Sequence, residues 1–255
     1  MSVEASVVGV MPSMMSVGSP VSSEPEVIPG TRKKVVREVH GKRFARFPVK
    51  SRLVVKGDDL GRLAEELTRS LRQPGDILFI SESVVAIAQG RALSSREIRI
   101  GLPARILWRF VRKVPYGIGL RSPETMQCAI NECGLPRILL ASAVGALGKL
   151  VGRRGDFYRI AGMQAATIDA ASTSPIPEFN DCVILGPRDP EGSARELSKA
   201  IGLPVAIVDV NDIGGSWVLG ATEGIDRDLV QDILRDNPLG QGAEMTPFGL
   251  IRPVA

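Results

Sequence analysis

VAIVDVNDIGGSWVLG, residues 205–220, decides how the rest of the chain is read. An apolar run, Val205 to Val208, opens into Asp209, Asn211 and Asp212; two glycines follow, and a second apolar run begins. The first run reads as a buried strand, yet it ends in two carboxylates and a carboxamide. Charged groups are costly to bury unless they are paired or bind a metal. Taken alone, the stretch allows two readings. Asp209 or Asp212 is a turn residue before Gly214, or the strand tip lines a site for a hard divalent cation, which takes oxygen ligands.

Length and composition narrow the possibilities. The chain has 255 residues, enough for one large domain or two small ones with a sizeable core. Hydrophobic residues are 44% and charged residues 24%, the balance of a soluble globular protein. A net charge of +4 is too small to imply nucleic acid on its own, and aromatic residues at 4% offer no stacking platform for single strands. No apolar run reaches the length of a membrane span. The first basic residue is Arg32, so the N-terminus lacks the charged start of a secretory signal. Cys128, Cys133 and Cys182 are odd in number and lack zinc-ligand spacing; they read as thiols in a reducing compartment. The expected location is the cytoplasm, with no membrane partner and no nucleic acid partner. His40 is the only histidine, so a histidine-dependent nucleophilic triad would have to run through a charged, poorly patterned arm.

Residues 1–30 are rich in Ser, Val, Met, Gly and Pro and read as a disordered leader, followed by one domain over 31–255. RKKVVREVHGKRFAR, 32–46, reads as a solvated edge strand, an anion-binding arm or a nucleic-acid contact, the last weakened by the low aromatic content. GDDLGRLAEELTRSLRQPGD, 57–76, is a predicted helix capped by Asp58 or Asp59, striped by Leu60, Leu63, Ala64, Leu67 and Leu71, and stopped by Pro74 and Gly75. ILFISESVVAIAQGRA, beginning at Ile77, reads as two strands with Ser81, Glu82 and Ser83 between them. Three more predicted helices carry visible ends: Ser122 to Gly134, Asp189 to Gly202, and Asp226 to the Asn237–Pro238 stop. GALGK, 145–149, fails the phosphate-loop pattern because Ala143 replaces its first glycine and Leu150 follows the lysine. Its glycines read as a small-residue packing face and turns. LGQGAEMTP is a polar loop and FGLIRP a final strand. Strands and helices alternate without a steady βαβ rhythm.

Polar groups at the ends of apolar segments are the candidates for chemistry: Asp169, the Asp209/Asn211/Asp212 group, Gln241 with Glu244, and Asp58 with Asp59. Asp169, Asp212 and a carboxamide oxygen would suit Mg²⁺ or Mn²⁺. Five stretches then add a resemblance. They are GDDL (57–60), GDILFISESVVAIAQGR (75–91), TIDAAS (167–172), LGPRDPEGSARELSKAIGLPVAIVDVNDIGGSW (185–217) and LGQGAEMTPFGLIRP (239–253). In order, they resemble the coenzyme F-420:L-glutamate ligase family, the γ-glutamyl ligases that extend a deazaflavin coenzyme. The central segment marks a divergent branch.

The resemblance implies an α+β fold with mixed, largely antiparallel sheets and flanking helices, in an intertwined homodimer. It implies a ligase in which GTP or ATP phosphorylates a substrate carboxylate. The amine of glutamate or another amino acid then attacks the acyl phosphate, with divalent metal at the phosphates. Residue by residue, Asp169 matches the family's metal aspartate and Ser172 an asparagine that contacts nucleotide. Asn211 and Asp212 fall on its metal-binding Asp-Thr, and Asp209 adds a carboxylate nearby. Gln241 matches a metal-associated glutamine, and Gly240 to Glu244 lie in its nucleotide loop. Ser81 and Glu82 fall where the family makes early nucleotide contacts. Asp169 and Asp212 are thereby the expected catalytic pair. Ile87 replaces the family's lysine, and Arg91, Lys149, Arg153 and Arg154 are the candidate substitutes. Two alternatives accompany this reading: a glutamyl ligase for a folate-like or other small acceptor, and a non-catalytic binding protein on a ligase scaffold.

Overall fold

A parallel pair of strands at the middle of one sheet organises the molecule. The computed structural model describes residue 28 and residues 33–111, 119–153, 155–240 and 242–254. The leader, apart from Ile28, and Gln241 lie outside the described residues.

The basic arm forms a hairpin. β1 (Val36–Val39) and β2 (Lys42–Val49) pair antiparallel about His40 and Gly41, whose φ angles are 51° and 72°. Left-handed geometry at both turn residues matches the twist of the strands it joins. Helix α1 (Leu60–Thr68) follows, capped by Asp59, whose carboxylate accepts from the Arg62 N–H at 2.9 Å. Asp58 instead pairs with Arg52. Strand β3 (Ile77–Ser81) then leads directly into helix α2 (Glu82–Ala88). This corrects the expectation of a second strand. Val84, Val85 and Ile87 favour strands in isolation, but a helix sends Val85, Ala86 and Ile87 together into the core beneath the sheet. Gly90, at φ +73°, follows its end.

The short strand β4 (Ala92–Ser94) opens a helical lobe built of α3 (Leu102–Leu107), α4 (Pro123–Cys133), α5 (Leu135–Leu150), α6 (Asp156–Ala161) and α7 (Met163–Ala166). Ser122 caps α4 in a capping box with Thr125, and Gly134 follows it. The GALGK glycines are packing positions. A Cβ on Gly148 would stand 2.3 Å from Asp156, and one on Gly145 would stand 3.1 Å from the Phe157 Cβ, so α6 lies close against α5. The chain returns through Asp169, bridged to Ile184, and β5 (Cys182–Ile184), which pairs with β4. Ile184 faces the core under the large sheet while Val183 and Leu185 face the lobe. The small sheet is thus the seam between two hydrophobic cores.

Helix α8 (Pro190–Ile201), capped by Asp189, feeds β6 (Val205–Val210). A turn joins β6 to β7 (Ser216–Ala221); α9 (Arg227–Leu234), capped by Asp226, and β8 (Phe248–Val254) complete the fold. The large sheet runs β1-β2-β8-β3-β6-β7. Among the described residues β3 and β6 form its one parallel ladder, Ser81 opposite Val208; the other pairs are antiparallel. Both central strands are apolar on both faces, as strands covered on both sides must be. Leu78, Ile80, Val205 and Ile207 meet α1, α2 and α8; Phe79, Ala206 and Val208 meet α9. Beside Phe79, Gly249 in β8 must lack a side chain, because a Cβ there would lie 2.3 Å from the phenyl ring. The fold is mixed α+β with largely antiparallel sheets and flanking helices.

Candidate functional site

Parallel pairing brings two strand ends to one edge. Ser81 opposes Val208, so the next residues lie side by side: Glu82 turns into α2, and Asp209 stays in β6 opposite Trp217 of β7. Strand alternation puts Asp209 on the face of Val205 and Ile207, the face that α2 covers. The carboxyl ends of parallel strands are where open α/β sheets bind ligands. Asp169 joins from the seam, held by reciprocal backbone bonds with Ile184 at 2.8 and 3.1 Å. α2 packs against β3, β6 and β5, which ties the three contributors together.

The electrostatics of this group are unusual. Glu82 is 6% exposed, and its Oε2 has no hydrogen-bond partner. Burial pushes its carboxyl well above the usual range, and repulsion from Asp169 and Asp209 adds to that. Asp169 is open to solvent on one side, yet protein surrounds it closely enough for desolvation, then repulsion from Asp209, to raise it to about 6. Burial raises Asp209 as well. Among the described residues none of the three forms an ion pair with Lys, Arg or His. No three acidic, histidine or cysteine side chains among the described residues converge into a coordination shell by themselves. This suits a magnesium-type ion, which takes one or two carboxylates from protein and the rest from water and phosphate.

The other candidates fall elsewhere. Asn211 is a turn residue: its Oδ1 accepts from the Gly215 N–H at 2.8 Å and the Ile213 N–H at 3.2 Å. Asp212 accepts from Lys33 Nζ at 2.7 Å and from Asn237 Nδ2 at 3.0 Å. These bonds tie it to Lys33 and to the segment after α9. Asn237 is fully buried at φ 52° and also donates to the Gly240 carbonyl at 3.0 Å. Lys33 donates to the Asn237 carbonyl at 2.6 Å. In sequence Asn237 reads as a helix stop, and Lys33 only as one residue of the basic 32–46 stretch. A carboxamide between a helix end and a glycine loop was the available signal for the first; nothing local marks the second.

The loop from Leu239 onward is pinned by the Thr246 hydroxyl, which donates to the Leu239 carbonyl at 2.6 Å. Glu244 folds back over Gly240, where a Cβ would stand 2.7 Å from its carboxyl carbon; φ of +81° also favours glycine there. At the end of β3 the Ser81 and Ser83 hydroxyls share a hydrogen bond of 2.8 Å. Ser172 adopts φ 68°, a conformation that suits asparagine better, and its N–H donates to the Asn180 carbonyl at 2.6 Å. Ile87 is in the core. The substitute cations are engaged or distant: Arg91 is buried, bonded to Glu132 and the Gly186 carbonyl. Lys149 and Arg153 belong to the helical lobe, the latter paired with Asp156. Arg154 lies outside the described residues.

A search of curated proteins finds no match for the chain. A family model described as F420-0:Gamma-glutamyl ligase matches residues 48–223. The matched span includes Glu82, Asp169 and Asp209 together with the strands and helices that carry them, and ends before the Gly240 loop. The chain belongs to the F420-0:gamma-glutamyl ligase family, enzymes that form carbon–nitrogen bonds.

Proposed function

We propose that the chain is a metal-dependent, nucleotide-consuming ligase that joins glutamate or another amine to a small-molecule carboxylate at the Glu82–Asp169–Asp209 group. The observation that carries this reading is the set of three mutually repelling carboxylates without a cation among them. Such a group is unfavourable alone and becomes favourable around a positive ion. Mg²⁺ or Mn²⁺ is the proposed occupant, held by one or two of the Asp169, Asp209 and Glu82 carboxylates, with water and phosphate supplying the other ligands. When bound, it would neutralise phosphate charge during transfer.

The remaining roles fall to the chain itself. GTP or ATP is the proposed phosphate donor. Its terminal phosphoryl group moves to the acceptor carboxylate, leaving a nucleoside diphosphate. The amine nitrogen attacks the acyl carbon, and phosphate departs with the bridging oxygen as the amide forms. This chemistry depends mostly on positioning and charge neutralisation. Ser81 and Ser83 offer hydroxyl donors at the strand end. The Gly240 loop, braced by Asn237, Asp212 and Thr246, is the proposed nucleotide wall. Asp212 acts here through that loop as a positioning residue. The homodimer implied by the resemblance belongs to the same proposal.

A thermal-shift matrix of ATP and GTP, each with and without Mg²⁺ or Mn²⁺, tests it. A ligand specific for the native state at 100 times its dissociation constant adds about 2.7 kcal/mol, a shift of several degrees for a domain of this size. A metal-dependent shift with one nucleotide is expected, followed by a glutamyl mass increase on a carboxylate acceptor. No shift with any pair overturns the reading. It would favour the non-catalytic scaffold, for which the apolar Ile87 in place of a lysine is the supporting observation.

A further inference from the structure

The helical lobe presents an apolar face that no other part of the described chain covers. On α5, Leu139, Leu140, Ala143, Ala146, Leu147, Leu150 and Val151 recur at i, i+1, i+4, i+7, i+8, i+11 and i+12, a single helical stripe. Its members are exposed, Leu147 at 64%, Leu150 at 82% and Val151 at 72%. Ile138, Ala141 and Gly148 on the opposite side are buried. Leu102, Ile106 and Phe110 extend the exposed surface from α3, Leu102 and Phe110 each at 72%. Lys149 Nζ reaches the Phe110 carbonyl at 3.5 Å and so joins the two segments. An apolar groove of about 470 Å³ runs on between α5 and α6 past Val144, Leu147, Leu150 and Ile160. Soluble monomers rarely expose a contiguous apolar patch of more than a few hundred Å².

Charge says what covers it. Between residues 102 and 161 the sequence has ten Lys or Arg and three Asp or Glu, a net +7, leaving −3 for the rest of a chain whose total is +4. Arg105, Arg109 and Lys149 are exposed around the patch, and among the described residues none of them has a carboxylate partner. Asp156, the one acid in this part of the surface, is buried and paired with Arg153 and Arg159. A second copy related by a twofold axis would set this basic rim against itself. An anionic surface would complement it.

We propose that the lobe rests on an anionic lipid membrane, with the α5 stripe and the α3 residues in the interfacial layer and Arg105, Arg109 and Lys149 at the headgroups. Apolar residues on one face with Lys and Arg beside them are the pattern of helices that lie in a membrane plane. A helix of 16 residues spans about 24 Å, less than the hydrocarbon thickness of about 30 Å. No single helix among the described residues is long and apolar enough to cross, and α4 and α5 meet at a bend of 115°. The sequence expectation of no membrane partner rested on the lack of a span, which bears on crossing and not on lying against a surface.

Sedimentation of the full chain with vesicles of phosphatidylcholine alone, or mixed with phosphatidylglycerol, tests the proposal. The chain is expected to pellet with the anionic vesicles, with binding at least about tenfold weaker on neutral vesicles or in about 0.5 M salt. Leu147→Glu/Leu150→Glu should weaken binding about tenfold or more without lowering the melting temperature, because both side chains are already in solvent. Arg105→Glu/Arg109→Glu, which leaves the apolar stripe intact, should do the same and decides the matter if the leucine variant fails to fold. A chain that stays in the supernatant with anionic vesicles overturns the proposal. So does a dimer that the leucine variant splits in analytical ultracentrifugation without any vesicle binding, which would assign the face to a second copy.

Discussion

Asp76 and Glu82 stand at the two ends of one strand and are equally removed from solvent, at 0% and 6% exposure. Their surroundings differ completely. Asp76 receives Arg252 through Nε and Nη2, both at 2.8 Å, and the Gln73 N–H at 2.8 Å. Glu82 keeps an oxygen without a partner and faces two more carboxylates. Burial alone therefore does not distinguish a structural acid from a functional one. Completeness of partners separates the two: the N-terminal end of β3 is closed as architecture, and at its C-terminal end a buried carboxylate oxygen has no partner, as the proposed ligand site requires.

The largest effect should come from breaking the closed end. Arg252→Met leaves Asp76 buried and unpaired and should cost about 3–5 kcal/mol in urea unfolding, part of which Arg252→Met/Asp76→Asn restores. Glu82→Gln is the matching change at the open end. It should alter the stability of the chelated protein by no more than about 0.5 kcal/mol. It should remove the roughly 2.7 kcal/mol of stabilisation that saturating Mg²⁺ and nucleotide give the wild type. A loss at Glu82 as large as that at Arg252 would erase the contrast.

A third test uses pH. The Asp169 carboxyl, ordinarily near 3.8, is raised to about 6 by burial and by Asp209. Between those values the folded state holds a proton that the unfolded chain has released, so stability falls as pH rises through the window. With Asp169 open to solvent on one side, screening leaves about 1 kcal/mol of that slope. Urea titrations in EDTA across the window should show it, and Asp169→Asn should lessen it, with the part due to the raised Glu82 and Asp209 carboxyls remaining. Asp58, lowered to about 2 by its hydrogen bond to Arg52, has the opposite sign: its contribution is present above 3.8 and lost on acidification towards 2. The smallest effect is expected at Asp212, where alanine removes an exposed ion pair and one bond to Asn237. About 0.5 kcal/mol in the same titration is expected, with the metal response retained. Loss of that response would return Asp212 to the metal site.

What the sequence made legible was mostly local. Ser122 and Asp189 cap the helices they are expected to cap, and Asp59 is the one of the Asp58/Asp59 pair that does so, because a side-chain oxygen and an N–H two or three residues on need nothing from the rest of the fold. The final strand was equally readable from its apolar run. Helix α2 was not, since its β-branched residues favour a strand until the sheet supplies a surface for them to cover. The grouping of Glu82 with Asp209 was hidden for a related reason: it depends on the register of β3 against β6, which no short window contains. Asp209 and Asp212 look equivalent in sequence. The register puts the first beside α2, and the hairpin turn takes the second to the segment after α9.

The position of β8 bears on how the chain is made. It lies between β2 and β3, so the N-terminal hairpin and the rest of the sheet have no ladder between them until residues 248–254 have been synthesised. At about 5–20 residues per second, translation leaves the facing edges of β2 and β3 waiting for roughly 9–35 seconds after the latter is made. The helical lobe depends on contacts within a single continuous segment and can close during that interval. The order of synthesis thus lets the lobe close before the sheet can be completed, and leaves Leu78, Phe79 and Ile80 without the β8 ladder meanwhile.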